Sequence, residues 1–195
     1  MTDLPFGYAL DDGSLARSPI SLAEFALLCQ TVGFGDVDRS ALTRLGGIFD
    51  ENVDRFLDRW YAFTASLPHL GFFSEGLDGK PLNEYRAASR RRFRQWILDA
   101  CRHPFDQSWL DYQHEIGLRH HRTKKNTTDG VESAPNVGLR YVLAQTYPFA
   151  TELRDFLLEL GQSPSDVEPL YQAWSKAVLL SVILWSYPYV VSGDF

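Results

Sequence analysis

The sequence predicts an all-α protein that folds as one domain, and three observations support this. Apolar residues recur at the 3.6-residue period of a helix along most of the chain, and no convincing run of strict alternation is bounded by turns. The length of 195 residues suits a single domain with one hydrophobic core. Hydrophobic residues make up 45% and charged residues 23%, which excludes a disordered or low-complexity chain.

The sequence divides into an N-terminal arm, residues 1–20, and a single domain, residues 21–195. The arm contains Gly and Pro and has weak periodicity, which favours an irregular segment. The domain begins at Ser21, whose spacing from Glu24 is that of a capping box at a helix start. The helices predicted within the domain cover residues 21–31, 37–64, 83–100, 108–121, 136–160 and 164–185.

Glycine and proline mark the boundaries and weak points of these helices. Gly46 and Gly47 lie inside the second predicted helix, where glycine destabilises, so the sequence allows a bend or a break there. Residues 68–81 contain three glycines between two prolines, which predicts a loop. Ser163 and Pro164 have the pattern of an N-cap followed by proline at the first helical position.

Charge and cysteine content exclude several classes of protein. The net charge of −6 gives no overall attraction to phosphate backbones, so nucleic acid is not an expected partner. Cys29 and Cys101 lie far apart, with no C-x-x-C or C-x-x-C-H motif, so neither a zinc site nor covalent haem attachment is indicated. No signal peptide is visible, and the most apolar stretch, residues 177–185, is about half the length of a membrane span. We therefore expect a cytoplasmic protein that does not bind a membrane.

A basic cluster lies at the C-terminal end of the fourth predicted helix. It consists of Arg119, Arg122, Lys124 and Lys125. A nucleic-acid or membrane patch would spread such charges over a face with aromatic residues, whereas here they gather where a helix dipole favours cations. We interpret the cluster as the solvated end of that helix.

One histidine stands out in a chain that is 14% aromatic. His120 extends an apolar helical stripe formed by Trp109, Tyr112 and Ile116. Two interpretations are open: a core histidine bonded to a backbone carbonyl, which spacing alone favours, or an axial ligand to a flat, apolar, iron-bearing cofactor. The second interpretation would also explain the aromatic content.

Residues 109–126 read WLDYQHEIGLRHHRTKKN, and this block strongly resembles the protoglobin family, single-domain haem proteins related to the sensing domain of globin-coupled sensors. The resemblance runs the length of the chain. Its other anchors are Trp60-Tyr61, Arg92-Phe93, residues 96–99, residues 185–189 and Gly193-Asp194-Phe195.

The resemblance implies a globin fold with an extra N-terminal helix and arm, around a deeply buried, non-covalent haem b. His120 matches the proximal histidine of the family, while Trp60, Tyr61 and Phe93 match its distal pocket. Arg92 matches a residue expected near the haem propionates. Two residues of the histidine stripe, Tyr112 and Ile116, are expected to line the cofactor site.

Gln145 departs from the family pattern, which has an aromatic residue lining the haem cavity at this position. A solvent-facing glutamine is one explanation. We favour a cavity-facing Gln145, because the match to the family around Arg140-Tyr141 and Tyr147-Pro148 is unbroken.

The resemblance also implies a homodimer built on the last two helices. Those helices carry more apolar residues than one buried stripe requires, among them Leu179, Leu180, Ile183 and Leu184. The expected function is reversible binding of dioxygen, carbon monoxide and nitric oxide at a histidine-ligated iron. Three alternatives are a gas sensor acting on a partner in trans, a haem enzyme that turns over nitric oxide, nitrite or peroxide, and a helical interaction module without haem.

Overall fold

The computed structural model describes residues 4–190, Gly193 and Phe195, and within these residues the chain is helical without a strand. The α-helices are α1 (Leu22–Val32), α2 (Asp36–Ala65), α3 (Pro68–Gly71), α4 (Asn83–Arg102), α5 (Gln107–His120), α6 (Leu139–Glu159) and α7 (Pro164–Ser186). Short 3-10 helices cover Phe72–Ser74 and Tyr187–Tyr189. The predicted all-α class is confirmed, and the arrangement is a globin fold preceded by an additional helix, α1, and an arm.

Side-chain caps fix the ends of the helices where the sequence predicts them. The Ser21 backbone N–H donates to Glu24 Oε2 at 2.8 Å, and the Glu24 N–H donates back to Ser21 Oγ at 3.2 Å. Gly33 then ends α1 with φ of 65°, a left-handed conformation that glycine adopts without strain. The N–H of Asp166 donates to Ser163 Oγ at 3.2 Å, which confirms the predicted start of α7.

Helix α2 continues through Gly46 and Gly47, so the bend or break that the sequence allows there does not interrupt the helix. A Cβ at Gly46 would lie 3.1 Å from Arg102 Nε and 3.2 Å from Cys101 Cβ. Glycine therefore lets α4 pack closely on α2, and Arg102 Nη2 donates to the Gly46 carbonyl at 2.8 Å. Tertiary packing outweighs the unfavourable helix propensity of the glycine pair.

The segment 68–81, predicted as a loop, contains one turn of α-helix and a 3-10 helix. Pro68 occupies the first turn of α3, where its missing N–H has no intrahelical acceptor to satisfy. The rest of the segment is irregular, with an isolated antiparallel bridge between Glu75 and Pro81. The loop prediction is therefore wrong for residues 68–74, which are helical.

An aromatic cluster between α2, α6 and α7 forms the centre of the core. Phe49 and Phe56 of α2 pack edge-on against Trp174 of α7, with ring centroids 5.8 and 6.4 Å apart. Phe156 of α6 contacts Phe56 at 5.4 Å, and all four rings are buried. Burial of such rings stabilises each by about 3–5 kcal/mol relative to alanine.

The described part of the arm lies against α4 and α5. The Tyr8 side chain is buried, and its hydroxyl donates to Asp99 of α4. The Ser18 N–H donates to Asp111 Oδ1 of α5 at 2.7 Å. The arm is therefore tied to the helices at both ends by side chains of the globin domain.

Among the described residues, no helix combines the length and apolar character that crossing a bilayer requires.

Candidate cofactor site

A cavity of about 1050 Å³ lies between α2, α4, α5, α6 and α7. Its volume reaches the upper end of the range for small-molecule sites, roughly 300–1,000 Å³, and its wall is largely aromatic and aliphatic. The structure brings every predicted site residue to this one wall. These residues are Trp60, Tyr61, Arg92, Phe93, Tyr112, Ile116, His120 and Gln145.

His120 is the last residue of α5, and its ring nitrogens have different environments. Nδ1 lies 2.9 Å from the Ile116 carbonyl oxygen. Because a carbonyl oxygen only accepts, Nδ1 carries the proton and the lone pair of the neutral ring is on Nε2. Burial lowers the pKa of His120, which keeps the imidazole neutral. His120 lines the cavity, and among the described residues none is hydrogen-bonded to its Nε2, so the neutral ring has the properties of a metal ligand.

Trp185 packs against the His120 ring and is itself bonded to Gln113. The Trp185 indole stacks on the imidazole, with centroids 5.5 Å apart and planes 10° apart. Its Nε1 donates at 2.8 Å to Gln113 Oε1, which also accepts from Trp96 Nε1 at 3.3 Å. Gln113 is fully buried, so its position is fixed. The sequence does not predict either residue as part of the site, although both belong to segments that carry the family resemblance.

Gly117 allows α5 and α7 to cross closely enough for this stacking. A Cβ at position 117 would lie 2.8 Å from the Trp185 carbonyl oxygen and 3.0 Å from its Cα. Both atoms are backbone and cannot move away cheaply. The glycine therefore sets the distance between the helix that carries His120 and the helix that carries Trp185.

The other histidines do not line the cavity. His121 is bonded to Thr123, with 2.7 Å between Nδ1 and Oγ1. His114 lies on α5 but away from the cavity, and burial lowers its pKa. Within the described residues, His120 is thus the histidine that the fold offers to a ligand in the cavity.

Tyr61 lines the cavity from α2. The Arg90 guanidinium lies over its ring, 5.5 Å from the centroid. Among the described residues, none is hydrogen-bonded to its hydroxyl. Burial raises the pKa of Tyr61 to about 12, so the phenol stays protonated and can donate a hydrogen bond.

Trp60 and Phe93 belong to an aromatic group centred on Phe149 of α6. Trp60 packs edge-on against Phe149, with ring centroids 4.9 Å apart, and the Phe93 ring lies 5.1 Å from the same residue. All three line the cavity. This part of the wall is largely aromatic, with the Tyr61 hydroxyl beside it.

Gln145 is on the cavity wall. Its Nε2 donates to the Tyr141 carbonyl at 3.0 Å, one turn earlier in α6. One amide proton is thereby satisfied, which reduces the desolvation penalty of a partly buried amide. The second N–H of the amide remains for a group in the cavity.

Arg92 is near the cavity, but its guanidinium already has a charge partner. It forms a bidentate pair with Asp129 at 3.0 and 2.6 Å, and Nη1 also donates to the Phe6 carbonyl of the arm at 3.1 Å. Both charged side chains are nearly buried, with exposures of 12% and 10%. Arg92 thus joins the arm to α4 and to the loop after α5.

The basic cluster is not the solvated helix end that the sequence predicts. Arg122 is exposed, but Lys124 pairs with Glu115 at 2.7 Å and Lys125 is buried. The reason is that α5 ends at His120 and the chain then folds back. The Lys124 N–H, for example, donates to the Leu118 carbonyl at 3.1 Å. Lys125 is thereby placed on the cavity wall.

The fold and the cavity define an all-helical globin with a large aromatic cavity that a histidine lines. The Protoglobin family model matches residues 21–194, nearly the whole chain, so the chain belongs to the protoglobin family. A comparison with curated proteins found no match. Protoglobins are haem globins that bind gases, and family membership places this chain in that class.

The residues of the cavity fit a haem group. The wall offers aromatic surface for the ring, a free imidazole nitrogen for the iron, and five basic side chains for the negatively charged edge. Those basic residues are Arg86, Arg90, Arg92, Arg119 and Lys125.

Proposed function

We propose that this protein binds haem b without a covalent link and binds dioxygen, carbon monoxide and nitric oxide reversibly, with His120 as the protein ligand of the iron. The observation that carries this proposal is that His120, with Nδ1 bonded to the Ile116 carbonyl and Nε2 without a partner among the described residues, lines a large aromatic cavity. When bound, haem supplies an iron with a coordination position open to a diatomic gas.

The surrounding residues have separable roles in this proposal. The Ile116 carbonyl fixes the proton on Nδ1 of His120, and Trp185 limits rotation of the ring. The Tyr61 hydroxyl donates a hydrogen bond to a polarised gas ligand, which favours dioxygen over carbon monoxide. The rings of Trp60 and Phe93 exclude water and so limit oxidation of the ferrous state.

The cysteines support non-covalent attachment and a reducing compartment. Cys29 and Cys101 are both free and buried, and neither lines the cavity. Burial raises the pKa of the Cys101 thiol, which keeps it protonated and unreactive. We therefore propose the cytoplasm as the compartment of this protein.

Titration of hemin into the haem-free protein tests the proposed function. The expected result is one haem bound per chain, followed after reduction by a carbon monoxide spectrum that reverts when the gas is removed. A Soret band that stays that of free hemin would contradict the proposal and favour a helical interaction module.

We further propose that the protein is a homodimer that uses α6 and α7. Leu180 and Leu184, which the sequence suggests as surplus apolar residues, belong to the core. Leu179, which the sequence also suggests, is 40% exposed on α7, and Tyr147 of α6 is 76% exposed. An apolar surface of this kind is typical of an interface between copies.

Sedimentation velocity is expected to show a dimer at micromolar concentration. Leu179→Glu should shift the protein toward monomer, because a carboxylate would be desolvated in the interface. Leu27→Glu on α1, at a residue that is 61% exposed, is the matched control and should leave the dimer intact. A monomeric wild-type protein would refute the proposed dimer.

Gln145→Phe is expected to slow carbon monoxide binding, because the ring fills space in the cavity. It should also speed dioxygen release by about two- to tenfold, which corresponds to the loss of one ordinary hydrogen bond of about 0.5–1.5 kcal/mol. Flash photolysis measures both rates. Gln30→Phe, at an exposed position of α1, is the control and should change neither. If Gln145→Phe also leaves both rates unchanged, the glutamine does not contact the ligand.

A further inference from the structure

Lys125 is a buried cation on the cavity wall. It is 6% exposed, and no carboxylate oxygen of the described residues lies within 4.0 Å of its ammonium group. Nζ donates to the Phe73 carbonyl at 3.0 Å, lies 3.4 Å from Asn126 Oδ1, and is 4.8 Å from the centroid of the Tyr85 ring. These contacts satisfy N–H groups of the Lys125 ammonium, but none of the three partner groups carries a full negative charge.

The other basic residues of the cavity wall each have a carboxylate partner. The pairs are Arg86 with Glu75 at 3.8 Å, Arg90 with Asp58 at 2.8 Å, Arg92 with Asp129 at 2.6 Å and Arg119 with Glu115 at 2.9 Å. Within the described part of the chain, Lys125 is the exception. The wall therefore carries one positive charge that no carboxylate of the described residues neutralises.

Burial of a cation without a counter-charge destabilises the protein, because only a nearby anion or dipoles can offset the free energy of lost hydration. The Phe73 carbonyl and the Tyr85 ring offset part of the desolvation free energy of the Lys125 ammonium. An anionic group bound in the cavity beside Lys125 can supply the remaining electrostatic stabilisation.

We propose that Lys125 is the charge partner of a propionate of the bound haem. This inference rests on the proposed haem binding and specifies the residue that recognises the carboxylate edge of the cofactor. The resemblance to protoglobins points to Arg92 for that role, but the Arg92 guanidinium is already neutralised by Asp129. The Lys125 ammonium is free to form a full ion pair.

Replacement of Lys125 by methionine is expected to weaken recognition of the haem propionate without destabilising the haem-free protein. The Phe73 carbonyl keeps a second donor, Ser133 Oγ at 3.2 Å, so its acceptor is not left unsatisfied. The methionine side chain is close to the length of the lysine stem and removes the buried charge. We therefore expect the haem-free Lys125→Met protein to unfold at the same denaturant concentration as wild type or a higher one.

The test compares hemin with its dimethyl ester, in which both propionates are uncharged. Both are titrated into wild-type protein, Lys125→Met and the control Lys80→Met, with binding followed by quenching of tryptophan fluorescence. Lys80 is exposed, pairs with Asp78 at 3.3 Å and does not line the cavity. Loss of a charged hydrogen bond predicts hemin affinity about ten- to hundredfold weaker in Lys125→Met. Affinity for the ester should be unchanged, and Lys80→Met should bind both as wild type does.

Each other outcome overturns the inference in a recognisable way. Unchanged hemin affinity in Lys125→Met would mean that the lysine does not contact a propionate. Equal weakening of hemin and ester would mean that Lys125 only shapes the cavity. If wild-type protein binds neither compound, the proposed haem binding fails, and this inference fails with it.

Discussion

Replacement of His120 by glycine is expected to abolish normal iron ligation while leaving the protein folded. The ring makes one hydrogen bond through Nδ1, and within the described chain no other histidine lines the cavity. The loss of folding stability should be about 1–2 kcal/mol, for one hydrogen bond and a glycine at the end of a helix. Haem affinity should fall by more than the roughly 10- to 100-fold typical when a residue that merely supports a metal ligand is removed.

Absorption spectra of the ferrous protein and circular dichroism measure these two effects separately. Added imidazole should restore the wild-type ferrous spectrum to His120→Gly, since the small ring can occupy the vacated space. His121→Gly is the matched control, because His121 adjoins His120 but lies off the cavity wall. An unaltered ferrous spectrum in His120→Gly would show that another group ligates the iron.

Tyr61→Phe is expected to speed dioxygen release by about ten- to hundredfold, with a much smaller effect on carbon monoxide. The reason is that a hydrogen bond to a partly charged acceptor is worth about 1.5–3 kcal/mol, and dioxygen on ferrous iron gains more charge than carbon monoxide does. The phenol has no competing partner among the described residues that would hold it away from the cavity.

Stopped-flow displacement of each gas gives the two release rates. The pKa of Tyr61 is raised to about 12, so the hydroxyl remains a donor below that value and the release rates should stay constant through the neutral and mildly alkaline range. Tyr171→Phe, at a residue of α7 beside Arg154, is the control and should release both gases as wild type does. Equal acceleration of both gases in Tyr61→Phe would mean that the phenol points elsewhere.

Local sequence signals predict much of this fold because they act within one helix. The capping box at Ser21 and Glu24 and the N-cap at Ser163 each depend on residues three positions apart. The stripe that ends at His120 depends on helical period alone, and it places the ring on the cavity side of α5. Contacts between residues that are close in sequence can be predicted from the sequence before the tertiary structure is known.

Contacts between helices that are distant in sequence are not predictable in this way. Gln113 bonds Trp185 across 72 positions, and nothing in the local pattern of either helix indicates that they meet behind His120. Arg92 pairs with Asp129 of a loop, so its motif does not reveal that its charge is already neutralised. Lys125 follows a helix end in the sequence, yet the chain turns back and buries it.

Resonance Raman spectroscopy of the ferrous, gas-free protein tests most directly whether His120 is the iron ligand. We expect an iron–imidazole stretching band that shifts when the histidines are labelled with ¹⁵N, because His120 lines the cavity and its Nδ1 bond to Ile116 leaves Nε2 for the iron. The band should disappear in His120→Gly and return with added imidazole. A band that persists in that variant without imidazole, or wild-type protein with no iron–imidazole band, would contradict the account.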